Sequence, residues 1–95
     1  MKRTQFYILV RNNGETKTER VKGYAETING LPIGLHKDGA AWTVTELSTG
    51  MAFADGRTRA DAIEKAQPLF DKVAGMVKKE MYKSARKMIC EAYGM

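Results

Sequence analysis

Ala41-Trp42-Thr43-Val44-Thr45-Glu46-Leu47-Ser48-Thr49-Gly50, followed by Met51 to Ala54, Asp55-Gly56 and Thr58-Arg59-Ala60-Asp61-Ala62, is the stretch on which the fold of this 95-residue chain turns. Its first run is rich in β-branched residues and ends in Ser-Thr-Gly. A short apolar run closed by Asp-Gly comes next. Thr58 and Asp61 then form a capping pair ahead of Ala62, Ile63 and Ala66. Together they spell strand, tight turn, strand, turn and capped helix, with every local cue in agreement. On the first strand Trp42 and Val44 share one face and Thr43 and Thr45 the other, which predicts a buried indole and half-solvated threonines.

Working back towards the N-terminus, Thr4 to Asn12 holds Phe6, Tyr7, Ile8, Leu9 and Val10, apolar on both pleat faces, as expected of a central strand. Asn12-Asn13-Gly14 reads as a hairpin turn. The strand after it, Thr16 to Lys22, has only Val21 apolar and is expected at an edge, where Lys17, Arg20 and Lys22 discourage pairing between sheets. Gly23 to Pro32 carries a weak pattern, with Asn29-Gly30 marking a turn. Ile33 to His36 reads as a short strand turned by Lys37-Asp38-Gly39 into the Trp42 strand.

Towards the C-terminus, Pro68 either kinks the helix or starts a second one. Phe70, Val73, Val77, Met81, Ala85, Met88 and Ala92 recur at spacings of three and four, one apolar stripe that Gly94 ends. The expectation is a single α+β domain over residues 1–95. An antiparallel meander of four or five strands (1–56) packs against a C-terminal helix or kinked helix pair (57–93). If continuous from Pro68 to Tyr93, that helix is about 39 Å long at ~1.5 Å per residue. It then outruns the sheet, and self-association as a homodimer through the overhang, with its adaptable methionines, is expected.

The net charge is +5 with 43% apolar residues. The ends are basic and the middle mildly acidic, with balances of +4 over residues 1–22, −2 over 23–67 and +3 over 68–95. This asymmetry favours an anionic partner, nucleic acid first. Two sets of cations stand out. On a continuous helix Lys65, Lys72, Lys79, Lys83 and Arg86 fall on one ridge opposite the apolar stripe, placed to follow a phosphate backbone or an acidic protein surface. At the helix start, Arg57 and Arg59 flank free backbone N–H groups that could hold a phosphate. Tyr7, Tyr24, Tyr82, Tyr93 and Trp42 are candidates for stacking on single-stranded bases, although Tyr7 and Trp42 lie in patterned strands and are expected to pack inside.

Catalytic, metal and cofactor signals are lacking. His36 is the lone histidine and reads as a surface or turn residue. Ser48 and Ser84 have no nucleophile-elbow context, and no H-x-x-x-H, C-x-x-C or D-x-D spacing occurs. The single cysteine, Cys90, cannot pair internally, so a reducing cytoplasm is expected. No run approaches the ~20 apolar residues needed to cross a bilayer, so no membrane association and no signal peptide are expected.

The residues His36-Lys37-Asp38-Gly39, Trp42-Thr43-Val44-Thr45-Glu46, Ser48-Thr49-Gly50, Gly56-Arg57-Thr58 and Ala62-Ile63-Glu64-Lys65-Ala66 carry a resemblance. This W-x-V-T…T-G…G-x-T-x-x-x-A pattern, over about a third of the chain, resembles a small domain met in bacteriophage and conjugative-element proteins. The resemblance implies a mobile-element accessory protein in the cytoplasm of a bacterial host, acting on nucleic-acid machinery in the manner of an anti-CRISPR. It transfers no functional residue. The expected function is a non-enzymatic inhibitor that binds a host defence ribonucleoprotein through the basic helix face. A direct DNA- or RNA-binding accessory protein is the alternative, and a small hydrolase or nuclease using His36 the third reading.

Overall fold

A computed structural model describes residues 1–94. Five strands, β1 (Lys2–Asn12), β2 (Glu15–Ile28), β3 (Leu31–Asp38), β4 (Ala41–Glu46) and β5 (Met51–Gly56), precede three helices, α1 (Arg59–Ala66), α2 (Phe70–Met76) and α3 (Lys83–Ala92). The strands form one antiparallel sheet in chain order, the α+β meander expected from the turn chemistry. Both Asn-Gly pairs make two-residue hairpins. Asn13 and Asn29 each adopt φ of 53°, followed by Gly14 at 81° and Gly30 at 78°. Two successive positive φ values define a type I′ turn, which these residue types tolerate. The turns pin the register, with Asn12 opposite Glu15 and Ile28 opposite Leu31.

Strand placement corrects the reading of the first hairpin. β1 begins the ladder instead of lying at its centre, and charged β2 is an interior strand running on to Ile28. β1 nonetheless has a covered margin, because the sheet curls back on itself. The Leu9 N–H donates to the Gly50 carbonyl at 2.7 Å and the Tyr7 N–H to the Tyr93 hydroxyl at 3.0 Å. β2 carries its charges because β3 pairs with it only from Tyr24 onward, and most of the charged side chains of residues 15–22 are exposed beyond that ladder. Pro32 sits inside β3 at no cost to the ladder. Its carbonyl, accepting from the Leu47 N–H at 2.9 Å, shows that its nitrogen faces past the last β3–β4 pair, Ile33–Glu46.

The two faces of the sheet bury differently. Ile33, Leu35 and Val44, all at 0% exposure, pack with Ala62, Ala66 and Phe70 of the helices. The opposite face folds onto itself. Phe6, 2% exposed, lies over Gly34, where a Cβ would come within 2.6 Å of its ring, and stands edge-on to His36 at 6.2 Å. His36 is therefore an inward strand residue, 7% exposed, and not a surface or turn residue. Thr45, opposite Gly34, is buried as well, whereas Trp42 is only half-buried, the reverse of the expected order. The helices cover Val44, and over half-buried Trp42 lies the Arg59 guanidinium of the first turn of α1, 5.7 Å from the ring centre.

Burial pushes the His36 imidazole below its ordinary pKa, with Asp38 and then Glu19 pulling the other way, and its Nδ1 has no hydrogen-bond partner. The folded state thus takes up its proton at lower pH than the unfolded chain, whose pKa is about 6.5. The stability this group contributes is full above that value and declines as pH falls through it towards the folded pKa. The urea midpoint of wild type should therefore drop more between about pH 7.5 and 5.5 than that of His36→Phe. Equal drops in both proteins would remove the imidazole as the cause.

The expected continuous helix is interrupted twice. Gln67–Leu69 form a 3-10 turn around Pro68, and Lys79 is extended, with φ −70° and ψ 153°. At the second break the Arg86 Nη1 donates back to the carbonyls of Val77 and Lys79, satisfying acceptors that the end of α2 leaves open. Three short helices replace one rod. The overhang on which self-association rested is absent.

Candidate nucleic-acid interface

Most of the cations expected to act together are kept apart by the helix breaks. Lys65 pairs with Asp61 at 3.4 Å and Lys83 with Glu80 at 3.7 Å, both on the surface. Arg86 is spent on the α2–α3 junction. Only Lys72 and Lys79 remain neighbours, around a shallow depression lined also by Asp71, Met76 and Tyr82. A ridge needs one helical phase from Lys65 to Arg86, and the extended Lys79 ends that phase.

The start of α1 is likewise already filled. Thr58 caps it, its hydroxyl accepting from the Asp61 N–H at 3.0 Å, while an Asp61 carboxylate oxygen accepts from the Arg57 N–H at 3.1 Å. That backbone N–H, with Lys65 helping, holds the Asp61 carboxyl below its usual pKa. The turn thus supplies its own carboxylate and satisfies the Arg57 and Asp61 N–H groups itself.

Arg59 goes elsewhere. Its guanidinium carbon lies 4.3 Å from the centre of the Tyr24 ring and 5.7 Å from that of Trp42, and the two rings are 6.2 Å apart at an interplanar angle of 47°. Capping by Thr58 fixes the first turn of α1 over the sheet, and the β2–β3–β4 register brings the rings to it. Tyr24 is opposite Leu35, and Trp42 is opposite Lys37. Stacking of this kind contributes roughly 0.5–1 kcal/mol at an exposed site and fixes the guanidinium plane.

The same register surrounds the rings with further cations. Arg3 pairs directly with Tyr24 across the β1–β2 ladder, Lys22 lies two residues before Tyr24 on the same face, and Lys37 lies beside Trp42. Arg57 follows Gly56, the β5 partner of Trp42, and so adjoins the patch along the chain and not by strand pairing. Arg3, Lys22, Lys37, Arg57 and Arg59 are all exposed, and among the described residues none has a carboxylate within ion-pair distance. Glu26, two residues beyond Tyr24 on the same face, marks the limit of the patch. Of the seven cations singled out from the sequence, only Arg57 and Arg59 belong to this cluster. Arg3, Lys22, Lys37, Tyr24 and Trp42 complete it, and only alternation across four paired strands could have grouped them.

A second feature, Glu46, gave no local signal at all. Its side chain, 1% exposed, accepts from the N–H and hydroxyl of Ser48 at 2.8 and 2.7 Å and from the N–H and hydroxyl of Thr49 at 2.9 and 2.8 Å. It organises the β4–β5 loop at the base of a depression lined also by Leu31, Val77 and Arg86. Among the described residues no three His, Cys, Asp or Glu side chains converge as metal ligands, and no helix is long and apolar enough to cross a membrane. No protein-family model, curated protein or solved structure matches this chain.

Proposed function

We propose that this protein is a nucleic-acid-binding accessory module whose ligand lies where the first turn of α1 meets the sheet, around Arg59, Tyr24 and Trp42. One observation carries the reading: a guanidinium stacked on an aromatic ring, without a carboxylate partner, ringed by four more unpaired cations. Cations that neutralise no neighbour are available to phosphates, and an arginine held flat offers its N–H edge in a fixed direction. Inhibition of a host defence ribonucleoprotein through a basic helix face has less support, because that face is interrupted at Lys79 and partly neutralised.

Binding to a labelled oligonucleotide should weaken steeply with salt. With about four phosphate contacts, log K should fall against log salt with a slope near −3 to −4. Reversing Lys22 and Lys37 together to glutamate should cut affinity at least tenfold and flatten the slope by about two. The matched pair Lys72→Glu and Lys79→Glu should leave both within about twofold. A flat slope in wild type, or equal losses in the two double variants, would overturn the assignment.

A further inference from the structure

We infer that the ligand is a single strand, read by base stacking on the Tyr24–Arg59–Trp42 platform; this rests on the nucleic-acid reading above and narrows it. The platform is two half-buried rings held in paired strands, with the Arg59 guanidinium of the first turn of α1 over them. In a duplex the faces of the bases are occupied by their neighbours, leaving only phosphates and groove edges outside. Reading an edge in a groove takes an element that enters it, and the cluster is instead spread across neighbouring strands β1 to β4 and the first turn of α1. Flat surfaces flanked by cations suit unstacked bases, whose faces are free while their phosphates run past on either side.

The geometry also gives the order of the stack. The Arg59 guanidinium carbon lies 4.3 Å from the centre of the Tyr24 ring and 5.7 Å from that of Trp42, so it sits over both rings and nearer the first. A base laid on Arg59 continues the column Tyr24–Arg59–base, and the half-buried indole is available to a neighbouring base. Arg3 and Lys22 then meet phosphates on the β1–β2 side, Lys37 and Arg57 those on the β4–α1 side. Because bases of every kind have a π face, the preference is for strandedness and not for sequence.

Trp42 is the sole tryptophan, so its fluorescence reports on this site alone. Titration with a mixed-sequence single-stranded oligonucleotide should quench it, and the blunt duplex of the same sequence should bind at least tenfold more weakly. Arg59→Lys keeps the charge and loses the plane. It should lose roughly five- to 150-fold in single-strand affinity, the range for one base stack, with the salt slope unchanged. If the duplex binds as tightly as the strand, or the strand binds without quenching, the stacking site is overturned while nucleic-acid binding stands. If neither oligonucleotide binds, the broader reading fails with it. An Arg59→Lys protein that binds like wild type shows that charge alone matters and also overturns the inference.

Discussion

Glu46→Ala should be among the most destabilising single substitutions in this protein, costing about 3–5 kcal/mol of a total near 5–14 kcal/mol for a domain of this size. The carboxylate is the sole acceptor for four donors on Ser48 and Thr49, those of Thr49 being fully buried. Hydrogen bonds to a charged acceptor contribute roughly 1.5–3 kcal/mol each without adding fully, and a buried donor left without a partner costs ~1–3 kcal/mol. Alanine removes the acceptor and leaves the donors stranded. The loss should spread, because the loop positions Gly50, whose carbonyl receives the Leu9 N–H and where a Cβ would come within 2.6 Å of Ile89. Hydrogen exchange at Leu9 should accelerate along with the fall in urea midpoint. Glu46→Gln, which keeps one acceptor oxygen and points an NH2 group at donors, should cost about half as much. An alanine variant within about 1 kcal/mol of wild type would show that the loop holds its shape without the carboxylate.

The features legible in the chain are those set by neighbours in sequence. Thr58 and Asp61 cap α1 as their spacing implies, both Asn-Gly pairs make their hairpins, and the strand–turn–strand–helix order from Ala41 to Ala66 is observed. What stayed hidden depends on residues far apart. β1 looks central because both its faces are apolar, yet it ends the ladder, and its burial comes from the sheet curling until Leu9 meets Gly50. The apolar stripe from Phe70 to Ala92 has helical spacing throughout, but three-and-four spacing cannot reveal that Arg86 will fold back onto the carbonyls of Val77 and Lys79. The candidate site was half visible. Arg57 and Arg59 drew notice as cations at a helix start, where they oppose the dipole, and their role changes once Tyr24 and Trp42 arrive from two other strands. Trp42 looked like core because a large aromatic in an alternating strand usually is.

Gly23→Ala should separate fold from site more sharply than any substitution within the patch. At Gly23 the β1–β2 hairpin parts from β3, since the β2–β3 ladder starts at Tyr24–Leu35. A Cβ there would overlap the carbonyl oxygen of Leu35 and come within 3.2 Å of the His36 Cα. Both are backbone atoms, so no side chain can turn away, and one methyl group must push two strands apart. A cost of about 3 kcal/mol or more is expected, at the upper end of overpacking effects. Gly75→Ala supplies the contrast. Nothing lies within 4 Å of its would-be Cβ and the residue is helical, so alanine there should stabilise by roughly 0.5–1 kcal/mol. The bend at Gly23 also carries function, because Lys22 and Tyr24 flank it and the parting of the strands decides whether they share a surface with Lys37 and Trp42. Under conditions where the alanine variant is still folded, its oligonucleotide affinity should fall although every cation and aromatic ring remains. Unchanged stability would mean that β2 passes β3 without needing the close approach. Lost stability with wild-type affinity would place the binding surface away from β2.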